Sequence, residues 1–108
     1  MPTPIVQVTT TAPSEEVADT LSAALVEGHL AACVQVTGPI RSRYRWQGDV
    51  ETATEWQVVA KTTAAAADAV VARIVELHPY DMPEVLVTPV LDGADGYLAW
   101  VAGEVRGT

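Results

Sequence analysis

A single cysteine, Cys33, stands in the chain, so no intrachain disulfide can form and a reducing compartment is the natural setting. No apolar run approaches the ~20 residues that a membrane-spanning helix needs. The opening stretch, MPTPIVQV, has neither a basic start nor a long apolar segment, which points to a cytoplasmic protein without a signal peptide. Basic residues are scarce: six against fourteen acidic ones, for a net charge of −8. That balance argues against nucleic acid as a partner, because phosphate neutralisation supplies most of that affinity. The seven glycines are scattered, with no phosphate-binding or dinucleotide motif and no Gly-x-Ser-x-Gly elbow. Catalysis finds no support, and the chain reads as a non-enzyme. Neither repeat nor linker interrupts it, so residues 1–108 form one domain with one core.

What is present is organised around residues 31–61. Ile40, Ser42, Tyr44 and Trp46 alternate with Arg41, Arg43 and Arg45, the period of a β-strand. After Gln47-Gly48-Asp49 a second strand begins, with Val50, Thr52, Thr54, Trp56 and Val58 alternating with Glu51, Glu55 and Gln57. Matching bulky faces across this hairpin predicts a three-residue loop, 47–49. Trp46 then lies opposite Val50 and Ile40 opposite Trp56, while Arg45 meets Glu51 and Arg41 meets Glu55. A cross-strand salt-bridge ladder is the preferred reading of the arginines, over an anion-binding stripe.

Length makes the hairpin a functional clue. From Cys33 to Trp46 an extended strand reaches roughly 45 Å at ~3.3 Å per residue, against a diameter of roughly 34 Å for a globule of this size. The strand overhangs its own domain and carries Tyr44, Trp46 and Trp56 towards the overhanging end. Exposed aromatics of this kind call for a cover, and a second copy of the chain is the simplest. Alternatively, Gly38-Pro39 breaks the strand and folds it back.

The remaining elements follow in order. Ile5 to Val8 is a short buried strand, and Thr9 to Pro13 a loop. Ser14 caps a helix over 14–28, with Glu15 and Glu16 in its first turn and Gly28 as its stop. Thr62 or Thr63 caps a second helix whose Ala67, Val70, Val71, Ile74, Val75 and Leu77 face inward, ending near His78 before Pro79. Val85-Leu86-Val87 reads as a strand buried on both faces. Asp95 caps a short last helix. This order predicts an α+β, ferredoxin-like βαββαβ sandwich with a long β2–β3 hairpin and an extra C-terminal helix.

The densest chemistry lies in His78-Pro79-Tyr80-Asp81-Met82-Pro83-Glu84. An imidazole beside carboxylates suits copper, zinc or nickel, and His78 with Glu84 are the metal candidates. The alternative is that His78 caps helix carbonyls while Tyr80 packs on the sheet. Lys61, at the end of an apolar run, is either a functional amine or a solvated strand terminus.

Six segments together resemble the CutA family of divalent-cation tolerance proteins. They are Thr11-Ala12-Pro13, Leu30-Ala31-Ala32-Cys33-Val34, Tyr44-x-Trp46-x-Gly48, Lys61-Thr62, His78-Pro79-Tyr80-x-x-Pro83-Glu84 and Gly96-Tyr97-Leu98-x-Trp100. The resemblance spans nearly the whole chain. It implies a homotrimer similar to PII-type signalling trimers, with Tyr44, Trp46 and Trp56 at the trimer interface. It also implies association with copper or other divalent cations, with no cofactor required. Bacterial members have a proposed copper site made of a Cys before Thr-Ala-Pro and a His-His pair before Pro-Tyr. Here those positions hold Thr10 and Leu77-His78, so one of three ligands survives and metal binding is expected to be weak. Two other functions stay open. One is a small-molecule sensor holding anionic ligands in an intersubunit cleft lined by Lys61, Tyr80, Glu84 and Trp100. The other is a scaffold that recruits another protein.

Overall fold

Seven elements follow one another along residues 3–106, the part of the chain that the computed structural model describes. They are β1 (Ile5–Ala12), α1 (Glu15–Glu27), β2 (Cys33–Trp46), β3 (Asp49–Thr63), α2 (Ala67–Leu77), β4 (Val85–Pro89) and α3 (Asp95–Glu104). All strand pairs are antiparallel and the sheet order is β2-β3-β1-β4. This is the α+β, ferredoxin-like arrangement expected from the element order, with α3 added.

One face of the sheet receives α1 and α2. Val6, Val8 and Ala60 meet Leu25, Val70 and Ile74, while Ala12 and Val58 meet Ala18 and Leu21. Burying each of the larger side chains contributes about 1.5–3 kcal/mol. α1 starts where expected: Ser14 is extended and its Oγ accepts from the Val17 N–H at 3.1 Å. It stops at Gly28, and His29 follows with φ 57°. On the opposite face α3 buries Val101.

Several boundaries depart from expectation. Thr9 to Ala12 is not a loop but the second half of β1, paired with both β3 and β4 up to Thr10 and with β3 beyond it. Thr10 is fully buried there, its hydroxyl turned to the Thr11 carbonyl. Thr62 and Thr63 lie at the end of β3, so neither is the helix N-cap. Thr62 Oγ1 donates to the Leu30 carbonyl at 2.6 Å, and Thr63 Oγ1 accepts from Ala66 N–H one turn before α2. Val75, expected inward, is half exposed because Val70 and Ile74 take the core side of α2. β4 is not buried on both faces: it is an edge strand, and Leu86 is 57% exposed.

The hairpin is long, as expected, and gives the molecule a long dimension of 44 Å against 28 and 22 Å. Gly38-Pro39, joined by a cis peptide, forms a bulge and does not fold the strand back; pairing resumes at Ile40. Trp56 packs across this bulge, where a Cβ on Gly38 would lie 2.4 Å from its Cδ1. Only glycine fits.

The expected register is overturned. The turn has two residues, Gln47 and Gly48, at φ 51° and 89°. Left-handed geometry at both positions matches the twist of the flanking strands. Trp46 therefore pairs with Asp49, Arg45 with Val50, Tyr44 with Glu51, Arg41 with Thr54 and Ile40 with Glu55. Directly paired residues share a face. Arg41, Arg43 and Arg45 thus stand with Val50, Thr52 and Thr54, while Asp49, Glu51 and Glu55 stand with Tyr44 and Trp46. No Arg–Glu ladder forms, and the ion pair found among the described residues is Arg73–Glu76 on α2.

Candidate functional site

The site grows from the way α2 ends. Pro79 cannot extend the helix, so His78 turns to an extended conformation and its N–H closes the last turn on Ile74 at 2.9 Å. The ring then points back to the sheet. Its Nδ1 accepts from the Tyr80 N–H at 3.1 Å, which leaves Nε2 to donate to the Thr11 carbonyl at 2.6 Å. His78 is 8% exposed. Nε2 thus pins the loop 78–84 to β1, while Nδ1 braces the turn at Tyr80 within the loop.

Tyr80 packs against that imidazole, with ring centroids 4.8 Å apart, and its hydroxyl donates to Glu55 Oε2 at 3.3 Å. Burial, then the neighbouring Glu55 carboxylate, push the phenol above its ordinary value of 10.0. Between this loop and the hairpin lies a half-open cavity of about 430 Å³. Tyr44, Trp46 and Tyr80 supply aromatic walls, and Glu55, Asp81 and Glu84 supply three carboxylates. Thr11 and Met82 complete the lining, and no basic side chain contributes to it.

Of the residues that sequence singles out, the fold brings Tyr80, Glu84, Tyr44 and Trp46 to this cavity. Lys61 and Trp100 lie elsewhere. Lys61 pairs across the sheet with Gln7 and Cys33, and its Nζ donates to Gln35. Trp100 stands on α3 against Tyr97, ring centroids 5.6 Å apart. Trp56 is half-buried beside Val58 and Leu21, so it belongs with the body of the domain. Asp81 lies in the stretch that the sequence singles out, whereas Glu55 escapes the sequence reading. Glu55 reads as a ladder partner of Arg41 until a two-residue turn moves it to the aromatic face. No group of three or more His, Cys, Asp or Glu converges around a metal-sized point among the described residues. Nor is any described helix long and apolar enough to cross a membrane.

Comparison with known proteins bears on the family and the fold. The family profile described as CutA1 divalent ion tolerance protein matches residues 6–104. The divalent-cation tolerance protein CutA of Thermus thermophilus is 45% identical over 91 residues, covering 84% of this chain and 88% of its own. That of Pectobacterium atrosepticum is 38% identical over 96 residues, covering 89% and 87%. The crystal structure of CutA from Xylella fastidiosa superposes with a TM-score of 0.94 at 36% identity, covering 96% of this chain and 100% of the other. Sequence and fold therefore agree, and the chain belongs to the CutA1 family of divalent ion tolerance proteins.

Proposed function

We propose that this chain is a cytoplasmic, non-enzymatic divalent-cation tolerance protein that works as a homotrimer and binds copper or other divalent ions weakly. The observation that carries the trimer is the two-faced hairpin. One face presents Arg41, Arg43 and Arg45, and the other presents Asp49 and Glu51 among Tyr44 and Trp46, with Glu55 buried beneath the Tyr80 loop. Unlike faces of one surface are complementary between copies, and a head-to-tail contact of that kind gives a ring when its rotation closes. Trp46 is 43% exposed and Val50 59%, apolar area that a neighbour's ribbon covers.

Weak metal binding follows from the donor set. With both nitrogens of His78 engaged and no convergent ligand group among the described residues of one chain, a metal ion has to displace a hydrogen bond or recruit Glu84. Sedimentation equilibrium tests the assembly: three chains per particle are expected, with dissociation by Arg43→Glu. A well-behaved single chain overturns it. Calorimetric copper titration of wild type and His78→Ala tests the ligand, with loss of uptake expected in the variant. Equal uptake by both removes His78 from the site.

A further inference from the structure

The ribbon holds apart two sets of groups that need each other. Glu55 is 7% exposed, and its Oε2 is met by the neutral Tyr80 hydroxyl at 3.3 Å. Among the described residues no cation stands within ion-pair distance of it, and no basic side chain lines its cavity. A carboxylate this deep gives up more solvation than one phenol restores, so it calls for a cation. Asp81 and Glu84 deepen the negative field.

The chain has six basic residues to draw on. Arg73 pairs with Glu76, Lys61 donates to Gln35, and Arg106 lies on the segment that follows α3. Arg41, Arg43 and Arg45 are exposed and pair with no carboxylate among the described residues. They cannot turn into their own chain's cavity. Paired residues share a face, and these three stand on the face opposite Tyr44 and Trp46. A neighbouring copy bound head to tail is under no such restriction, because its arginine face meets this copy's acidic one. Guanidinium also suits the walls. It offers two parallel N–H groups to a carboxylate and stacks flat on aromatic rings, here Tyr44, Trp46 and Tyr80. A divalent ion asks instead for several oxygens around one point, which the carboxylates do not supply.

We infer that an arginine of the neighbouring copy's ribbon, Arg41, Arg43 or Arg45, enters this cavity and is the counter-ion of Glu55. The cavity is then a socket that the next subunit fills, and each buried carboxylate is completed by assembly. This rests on the homotrimer proposed above and goes beyond it by naming the groups that join one ribbon to the next cavity.

The test uses the full chain. Sedimentation equilibrium first counts the copies in wild type; a monomer overturns the trimer and this contact together. In the trimer, ¹⁵N-arginine labelling reads the contact itself, with Arg41→Gln, Arg43→Gln and Arg45→Gln assigning the resonances. One ribbon arginine Nε–H is expected to exchange with solvent at least about tenfold more slowly than the other two, and to lose that protection in Glu55→Gln. Trimer dissociation in urea is then compared for Glu55→Gln, the variant of the protected arginine and their combination. Loss of that arginine is expected to weaken assembly about tenfold, the equivalent of ~1.4 kcal/mol, and the double variant to lose no more. Three results overturn the inference while the trimer stands: no protected ribbon arginine, protection kept in Glu55→Gln, or additive losses. If Glu55→Gln does not fold, wild-type trimers reassembled from differently labelled copies decide. A nuclear Overhauser effect is expected from an arginine Nε–H of one copy to the Tyr80 ring of another, and its absence overturns the inference.

Discussion

The sheet beneath the helices and the ribbon beyond the bulge are parts of the same two strands, yet different forces set their pairing. In the body, Val34 lies opposite Ala60 and Val36 opposite Val58, with Val58 and Ala60 buried under helices. Slipping that pairing by one residue would turn the apolar set to water, so burial fixes it. Past Gly38-Pro39 neither face of the ribbon is covered by the chain's own helices, and nothing penalises a bulky residue for facing a charged one. There the turn decides. The lesson is that a pattern of alternation locates a strand anywhere, but fixes its register only where one side is packed.

Perturbations that separate these two regimes differ in size. The largest effect belongs to the body: Leu25→Ala, at a fully buried position, should destabilise by about 2–5 kcal/mol in denaturant unfolding at fixed protein concentration. Next comes the hinge between the regimes. Gly38→Ala drives a methyl into the Trp56 indole and should lose about 1–3 kcal/mol, with a changed Trp56 fluorescence environment. At the tip, a methyl added to Gly48 would meet nothing within 4 Å, but the residue sits at φ 89°, so Gly48→Ala carries backbone strain alone. About 1–2 kcal/mol is expected, with the helix-covered core unchanged by hydrogen exchange.

The smallest effect joins ribbon to loop. Tyr80's phenol is raised in the fold, so the native state holds that proton more tightly than the unfolded chain does. This contribution is fully present below the ordinary phenol value of 10.0 and is lost as pH rises through the raised native value. Chemical denaturation across that alkaline range should show stability falling with pH, less steeply in Glu55→Gln. An unchanged slope would separate the two side chains.

Legibility follows the same division. Helical spacing of Leu21 and Leu25, Ser14 as cap and Pro79 as stop are readable because each acts locally. The order of elements then constrains the sheet. Thr9 to Ala12 reads as a loop because hydroxyls favour turns, but pairing on both sides satisfies that backbone and buries Thr10. Leu86 reads as buried because its neighbours are apolar, although an edge position leaves it open. In the candidate site, His78, Tyr80 and Glu84 announce themselves in one short segment. Glu55 does not, since its membership depends on the turn at Gln47-Gly48 and on a loop that arrives from elsewhere in the sheet.

His29 has one further consequence. Its carbonyl accepts from the Arg106 N–H at 2.9 Å, and its ring nitrogen Nδ1 lies 3.2 Å from the Glu104 carbonyl. The residue leaving α1 thereby clasps the tail that leaves α3, although the two helices lie on opposite sides of the sheet. Loosening of the segment that leaves α3 is therefore felt at the exit of the first helix.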